Sequence, residues 1–352
     1  MASYNLLVFS WNDIFPSRSQ TGTSADLLGQ SFTFNGGGDI VEYIDNDSFN
    51  GSFGDHGFVT NTIRGTIDGQ SVNNGMVNPE YSYFIQDSQG NVVGEMYAIT
   101  LNNDNLSDIE AFTFDFQPKA GETYTISGRD TTPATPYSNL YVCLVAGTSV
   151  DTPHGPRLIE DIRPGDLVTT HDSGAQKVLW TGQRALVGNR LVLHPATRPI
   201  RIEAGALGHG LPANPLVVSR QHRVHLSSPV AERMFGSEDM LIPAKDLLML
   251  DGVSQIAPQQ GITYHHLLCE GHEMIRSSGC WTETLYLGNM AQSMLSPEQI
   301  AEIRQTFPDL TTRMALHPFA AVAEANRGRL ERFVAREAAR GTRLTDHGSK
   351  AA

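Results

Sequence analysis

Cysteine is scarce in this chain. Three cysteines among 352 residues are an odd number at scattered positions, which excludes a disulfide framework. No apolar run is long enough to span a bilayer, so no transmembrane segment is expected. Residues 1–15 lack the basic segment and apolar run of an ordinary secretory signal peptide, which leaves localisation, including export by another route, open.

Basic residues are almost missing from the first part of the chain. Residues 1–142 hold 4 Lys/Arg against 17 Asp/Glu, a net charge of −13, whereas residues 143–352 hold 21 of each. All three cysteines and 11 of the 12 histidines lie in the second part. Neither part carries a basic patch, which argues against a nucleic acid partner. The break predicts a domain boundary at Cys143. We expect an acidic domain over 1–130, a linker over 131–142, a second domain over 143–288 and a tail over 289–352.

The first part is typical of β structure. Residues that are β-branched or aromatic recur between turns rich in Asn, Asp and Gly. The pattern predicts a mainly β chain that opens with a sandwich-like or jelly-roll domain. The predicted strands are Ser31–Phe34, Thr60–Ile67, Tyr81–Ile85, Val92–Leu101, Ala111–Phe116 and Thr123–Ile126. The predicted turns are Asn35–Asp39, Asp68-Gly69, Asn73–Gly75 and Gln89-Gly90.

The second part reads as short strands followed by helices. Turns such as Arg163–Asp166 separate the strands, and Ser296–Gln299 has the pattern of a helix N-terminus with Pro297 at the first helical position. A second helix is predicted from Pro318 to Arg340 and ended by Gly341. Its polar last turns predict a surface helix or a tether.

Three segments of the second part stand out by their chemistry. Cys143 opens a run that continues Leu-Val-Ala-Gly-Thr, and Leu216–Val224 is a strand that ends in Ser219-x-x-His222. A third segment begins at His272 and continues to Thr282-Glu283. In this order, over about 145 residues, the segments resemble the Hint (Hedgehog/intein) family. The sequence of segments such as Tyr264–Leu268 is most similar to a bacterial branch of that family.

The resemblance implies an all-β, horseshoe-like domain that cuts the chain at its own first residue, without a cofactor. Cys143 would attack the carbonyl of Val142 through a five-membered ring, which makes the reaction effectively unimolecular. His222 would act as acid/base, Ser219 would orient the scissile amide, and His272 would be a second proton donor or a core residue. The substrate is then the chain's own N-terminal segment, left as a thioester until water, a thiol or an amine takes it.

The chain departs from both named branches of the family. Inteins end on Asn followed by Cys, Ser or Thr, whereas Asn289 is followed by Met290. No segment after Gly288 resembles the sterol-binding region of Hedgehog proteins, and Gln183 stands where those proteins have a catalytic Asp. The resemblance therefore favours cleavage that releases or activates the acidic part, without splicing.

Other interpretations stay open. The acidic domain could be the active part of an exported or surface binding protein with an inert Hint fold. It could then bind calcium through Asp39, Asp45, Asn46 and Asp47, although solvated turns explain these residues more simply. A cysteine hydrolase acting on outside substrates is a weaker alternative, because 142 residues precede Cys143.

A zinc site or a disulfide is a further alternative for the histidine-rich segment. The candidate zinc ligands are His265, His266, Cys269, His272 and Cys280. A disulfide between Cys269 and Cys280 would require export. Strand alternation places the candidate ligands on opposite faces, which disfavours the zinc site.

The sequence predicts cleavage without ligation. A thioether cannot accept an acyl group, so Met290 offers no downstream nucleophile. Intact-mass analysis after incubation with dithiothreitol should detect two pieces and no joined product, and the new N-terminus should read Cys-Leu-Val-Ala-Gly. A product that joins residues before Cys143 to residues after Gly288 would contradict this prediction.

Overall fold

The computed structural model forms two compact units. The described residues are 2–18, 27–45, 62–100, 109–130, 142–287, 297–310, 314–325 and 327–340. The first unit comprises Met1–Ser138, Leu186–Ala196 and Ala257–Ile262. The second comprises Asn139–Ala185, Thr197–Ile256 and Thr263–Ala352. Two short segments that follow Cys143 in the sequence therefore belong to the first unit.

The first unit contains one antiparallel sheet in the order β2-β8-β5-β4-β3-β1-β7-β6. Its strands are β1 (Ala2–Ser10), β2 (Ser31–Thr33), β3 (Asp39–Asp45), β4 (Thr62–Ile67), β5 (Gln70–Gln86), β6 (Val92–Thr100), β7 (Ala111–Phe114) and β8 (Thr123–Asp130). The long strand β5 pairs with β4, β8 and also β6, so the sheet folds back on itself. Helix α1 (Trp11–Ile14) follows β1, and helix α2 (Gly188–Leu193) enters from later in the chain. The predicted mainly β, antiparallel fold is confirmed.

Turn chemistry explains one predicted hairpin and one error. Asp68 and Gly69 both have positive φ and join β4 to β5, as a two-residue hairpin loop requires. The turn predicted at Asn73–Gly75 is wrong, because these residues continue β5. Ile63 pairs with Gly75 and Arg64 with Asn73, so the extra residue forms a bulge instead of a reversal.

The sequence pattern missed strands β1 and β3. In the second half of β1, Leu6 and Val8 join one apolar cluster while Phe9 joins another, so both faces are buried there and the polar alternation of a half-buried strand is missing. In β3, acidic residues next to the Asn-Gly turn favoured a loop. The proposed calcium ligands Asn46 and Asp47 lie outside the described residues.

The second unit is built from short antiparallel strands in three sheets. Their orders are β11-β10-β21-β22-β17-β18, β12-β13 and β14-β20-β9-β16-β15-β19. The strands of the first sheet are β10 (Ser149–Thr152), β11 (Gly155–Leu158), β17 (Arg223–Ser227), β18 (Asp239–Pro243), β21 (Met274–Ser277) and β22 (Cys280–Glu283). The two-stranded sheet contains β12 (Leu167–Thr169) and β13 (Ala175–Lys177). The third contains β9 (Leu144–Val145), β14 (Trp180–Leu186), β15 (Ile200–Ile202), β16 (Leu216–Val218), β19 (Val253–Gln255) and β20 (Ile262–Leu268).

Helices complete the second unit. They are α3 (Pro229–Phe235), α4 (Pro297–Thr306), α5 (Pro318–Ala325) and α6 (Arg327–Arg340), with short 3₁₀ helices at Ile159–Asp161 and Ala244–Leu247. A further 3₁₀ helix, Pro195–Thr197, begins in the first unit. The starts predicted at Pro297 and Pro318 are confirmed. Helix α6 is no tether, because Leu330, Phe333 and Val334 are buried in the main apolar core. In the described part of the chain, no helix combines the length and apolarity needed to cross a membrane.

Candidate functional site

Strand β9 lies between two other strands, and this pairing sets the geometry around Cys143. Leu144 lies opposite Val218 of β16 on one side and opposite His265 of β20 on the other. The Ser219 N–H donates to the Cys143 carbonyl at 3.0 Å, which extends the pairing by one residue. Ser219, Cys143 and His266 therefore form one cross-strand row. Directly opposite residues of antiparallel strands project to the same face, so these three side chains meet.

Ser219 holds the amide of the predicted scissile bond. The Cys143 N–H donates to the Ser219 Oγ at 3.0 Å, and both residues are buried. The nitrogen of the Val142–Cys143 bond is thus tied to a hydroxyl that can shift between accepting and donating. The structure brings Ser219 to the atom that it was predicted to orient.

His266 contacts both reacting groups of that bond. Its Nδ1 lies 3.0 Å from the Val142 carbonyl oxygen, and Nδ1 and Nε2 lie 3.6 Å and 3.5 Å from the Cys143 Sγ. A carbonyl oxygen only accepts, so in this geometry Nδ1 carries the proton and Nε2 is the acceptor. In the sequence, His266 stands out only as a candidate zinc ligand. Residue spacing gives no sign of the pairing between β20 and β9 that brings it to Cys143.

His222 lies close to this row and its ring is available. Its N–H donates to the Ser219 carbonyl at 3.1 Å, which fixes a tight turn after β16. The side chain is buried, and among the described residues neither ring nitrogen has a hydrogen-bond partner. Burial lowers the pKa of His222 to about 4, although the negative charge of Glu283 acts to raise it. A buried polar group without a protein partner is costly, which makes His222 a candidate for a role in the site.

The part of the chain that contains this row matches a known protein family. The family model described as Hint domain matches residues 142–289. This protein contains a Hint domain. The predicted family is confirmed, and the match covers the row around Cys143 together with His222 and His272. No curated protein matches the chain.

Solved structures that are similar to part of this chain include a bacterial intein-like domain and two inteins. A bacterial intein-like domain from Clostridium thermocellum shares 13% identity and a TM-score of 0.28, over 42% of this chain and all of that chain. The gp41-1 intein shares 16% identity and a TM-score of 0.26, over 40% of this chain and 96% of that chain. The MchDnaB-1 intein shares 12% identity and a TM-score of 0.28, over 40% of this chain and 99% of that chain.

His272 lies in a separate buried network of the Hint domain. Its Nε2 donates to the Glu283 Oε2 at 2.9 Å, and its Nδ1 accepts the His317 N–H at 3.0 Å. Glu283 also accepts from the Arg223 N–H and guanidinium, each at 2.8 Å. Burial opposes ionisation, but Arg223 and His272 hold the pKa of Glu283 at about 2. Both ring nitrogens of His272 are therefore occupied, and no described contact joins it to Cys143.

The Cys143 thiol is protonated at rest. The residue is fully buried, which raises the pKa of the thiol well above its ordinary value, although the Ser219 hydrogen bond opposes this. Attack by sulfur therefore needs a base at the thiol. Cys269 and Cys280 are also buried and free. Across the described part of the chain, no group of three His, Cys, Asp or Glu side chains is arranged to hold a metal ion.

The two buried histidines predict a loss of stability in mild acid. Burial lowers the pKa of both His222 and His266 from 6.5 to about 4, so the unfolded chain binds more protons between those values. Stability should fall as pH drops through this window, by about 2 kcal/mol per histidine between pH 7.5 and 5. Urea unfolding followed by tryptophan fluorescence should show that His266→Gln loses less free energy of unfolding between pH 7.5 and 5 than the wild type does. The exposed His154→Gln should match the wild type, and an unchanged pH dependence for His266→Gln would contradict the prediction.

Proposed function

We propose that this protein cleaves itself at the Val142–Cys143 bond through a thioester, and that it does not splice. The observation that carries the proposal is the row Ser219–Cys143–His266. It supplies a hydrogen bond to the amide N–H, another to the carbonyl oxygen, and a ring nitrogen beside the thiol. Three partners aimed at one peptide bond suit acyl transfer better than packing alone.

His266 activates the attack. The thiol proton passes to Nε2 of His266 as Sγ bonds to the carbonyl carbon of Val142. The ring is then a cation, and its Nδ1–H donates to the oxyanion that develops on the Val142 oxygen. A charge-assisted hydrogen bond forms at the moment when negative charge appears, which is how preorganised donors lower a barrier.

His222 completes the transfer. The bond between the Val142 carbonyl carbon and the Cys143 nitrogen breaks as that nitrogen takes a proton, leaving a thioester and a free amine. The proton that His266 took from the thiol passes to His222, which relays it to this nitrogen, and the nearby Glu283 carboxylate favours the charged form of His222. Both histidines start and end neutral, so the net result moves the thiol proton to the amine. Ser219 keeps the nitrogen in place throughout.

The thioester then needs an acceptor. Water, a thiol or an amine can take the acyl group of Val142, and without one the free amine of Cys143 returns the amide. The candidate splicing residues Asn289 and Met290 lie outside the described residues, and the absence of splicing rests on their side-chain chemistry. His272 remains a candidate second proton donor, although its hydrogen bonds to Glu283 and His317 favour a structural role.

Thiol-induced cleavage should depend on Cys143. Incubation of the purified chain with dithiothreitol or hydroxylamine should raise the cleaved fraction, and Cys143→Ala should abolish the increase because no thioester can form. Intact-mass analysis distinguishes the outcomes. Cys269→Ala and Cys280→Ala serve as controls that retain cleavage. A wild-type chain that stays whole with both nucleophiles would reject the proposal and favour a binding protein with an inert Hint fold.

Cleavage rates of variants test the roles of His266 and His222. We expect His266→Ala and His222→Ala each to slow thiol-induced cleavage by about 10²- to 10⁴-fold. His266→Asn should recover part of the rate, because its amide can still donate to the Val142 oxygen but cannot take the thiol proton. Rates are measured from time courses at pH 7.5, with circular dichroism to check the fold and His154→Ala as the exposed control. Wild-type cleavage by His266→Ala would show that another group activates Cys143.

A further inference from the structure

The first unit contains chain from both sides of the Val142–Cys143 bond. Residues Leu186–Ala196 and Ala257–Ile262 follow that bond in the sequence, yet they belong to the same compact unit as Met1–Ser138. Helix α2 lies within the first of these segments. Cutting the bond therefore does not divide the chain along the boundary between the two units.

The side chain of Asn189 pairs with a strand of the N-terminal part. Strand β1 pairs with β7 at Phe9 and Ser10, and two residues earlier Asn189 takes the place of a partner strand. The Leu7 N–H donates to the Asn189 Oδ1 at 2.9 Å, and the Asn189 Nδ2 donates to the Leu7 carbonyl at 2.9 Å. The same Nδ2 lies 3.0 Å from the Thr113 Oγ1. A side-chain amide thus supplies both bonds of a sheet ladder.

A buried acid–base cluster adds a second connection. Asp115 of the N-terminal part is almost fully buried and forms an ion pair with Arg190. The Nε2 of His194 lies 3.5 Å from Asp115 and 2.9 Å from the hydroxyl of Tyr97. Burial opposes ionisation of Asp115, but His194 and Arg190 hold its pKa below the ordinary value. A paired, buried charge is costly to separate, because each partner would be left uncompensated.

Apolar packing makes the third connection. Val192 and Leu193 are fully buried in the cluster that contains Leu6 and Val8 of β1. The two residues thus form part of the core of the N-terminal sheet. Exposure of this core to water would accompany any removal of α2.

We infer that cleavage at Val142–Cys143 nicks this protein without releasing its acidic N-terminal part. The piece 1–142 remains bound to segment 186–196 of the piece that begins at Cys143, through the Asn189 pairing, the Asp115 cluster and the packing of Val192 and Leu193. Self-cleavage at this bond rests on the proposed function, whereas the continued binding of piece 1–142 depends only on contacts within the first unit. Self-processing would then break the covalent link between the pieces but leave them bound to each other.

A cut made independently of Cys143 tests the inference. A recognition sequence for a site-specific protease is placed within residues 131–141 of the full chain carrying Cys143→Ala, and the chain is cut at that site. Size-exclusion chromatography and native mass spectrometry at about 1 µM should show one species that contains both pieces. Two separate peaks would overturn the inference. Failure of the wild type to cleave with dithiothreitol would count only against the proposed function.

Variants in α2 should weaken the pair. Asn189→Ala removes the acceptor of the Leu7 N–H and one of the two donors to the Leu7 carbonyl, the other being the Thr113 hydroxyl. We therefore expect its pieces to dissociate about 10- to 100-fold more readily on dilution. Leu193→Asp should separate them after the cut. Arg233→Ala, an exposed change on α3, is the matched control and should leave the pair intact. Should Leu193→Asp not fold before the cut, the dilution series of Asn189→Ala decides, and equal dissociation of Asn189→Ala and wild type would contradict the assigned surface.

Discussion

Strand β9 is short, and hydrogen bonds on both of its edges hold it between β16 and β20. This pairing buries Cys143 and sets its side chain in one row with Ser219 and His266. A slip of one residue in either partner would turn the neighbouring side chain to the opposite face of the sheet. The chemistry that we propose therefore depends first on backbone register and only then on the nature of the side chains.

Burial in this site both costs stability and creates reactivity. The Cys143 thiol, His222 and His266 are held in their uncharged forms because charge is poorly solvated there. In the proposed reaction, protons would pass between groups that start and end uncharged. Glu283 is the exception, since Arg223 and His272 keep it charged within the core. Its negative charge raises the pKa of the nearby His222 and would favour the cationic form that His222 takes in the proposed proton relay.

The interleaving of the chain changes what a cut at Cys143 would accomplish. A domain joined only through its linker separates once the linker is cut, whereas Asn189 and Leu193 lie within the N-terminal unit although they follow the bond. The proposed reaction then resembles the conversion of a single chain into a two-piece complex. The acidic first part would then stay associated with the piece that begins at Cys143 instead of being released as free cargo.

The sequence alone determined the break at Cys143, the mainly β fold and the Hint resemblance, because composition and the spacing of Ser219 and His222 are local properties of the chain. It also determined the helix starts at Pro297 and Pro318, where proline chemistry acts within one turn. Only the tertiary structure decided that His266 joins Cys143, that His272 instead bonds Glu283, and that α2 belongs to the first unit. These outcomes follow from the pairing of strands and the packing of segments far apart in the sequence, and residue spacing carries no information about such register.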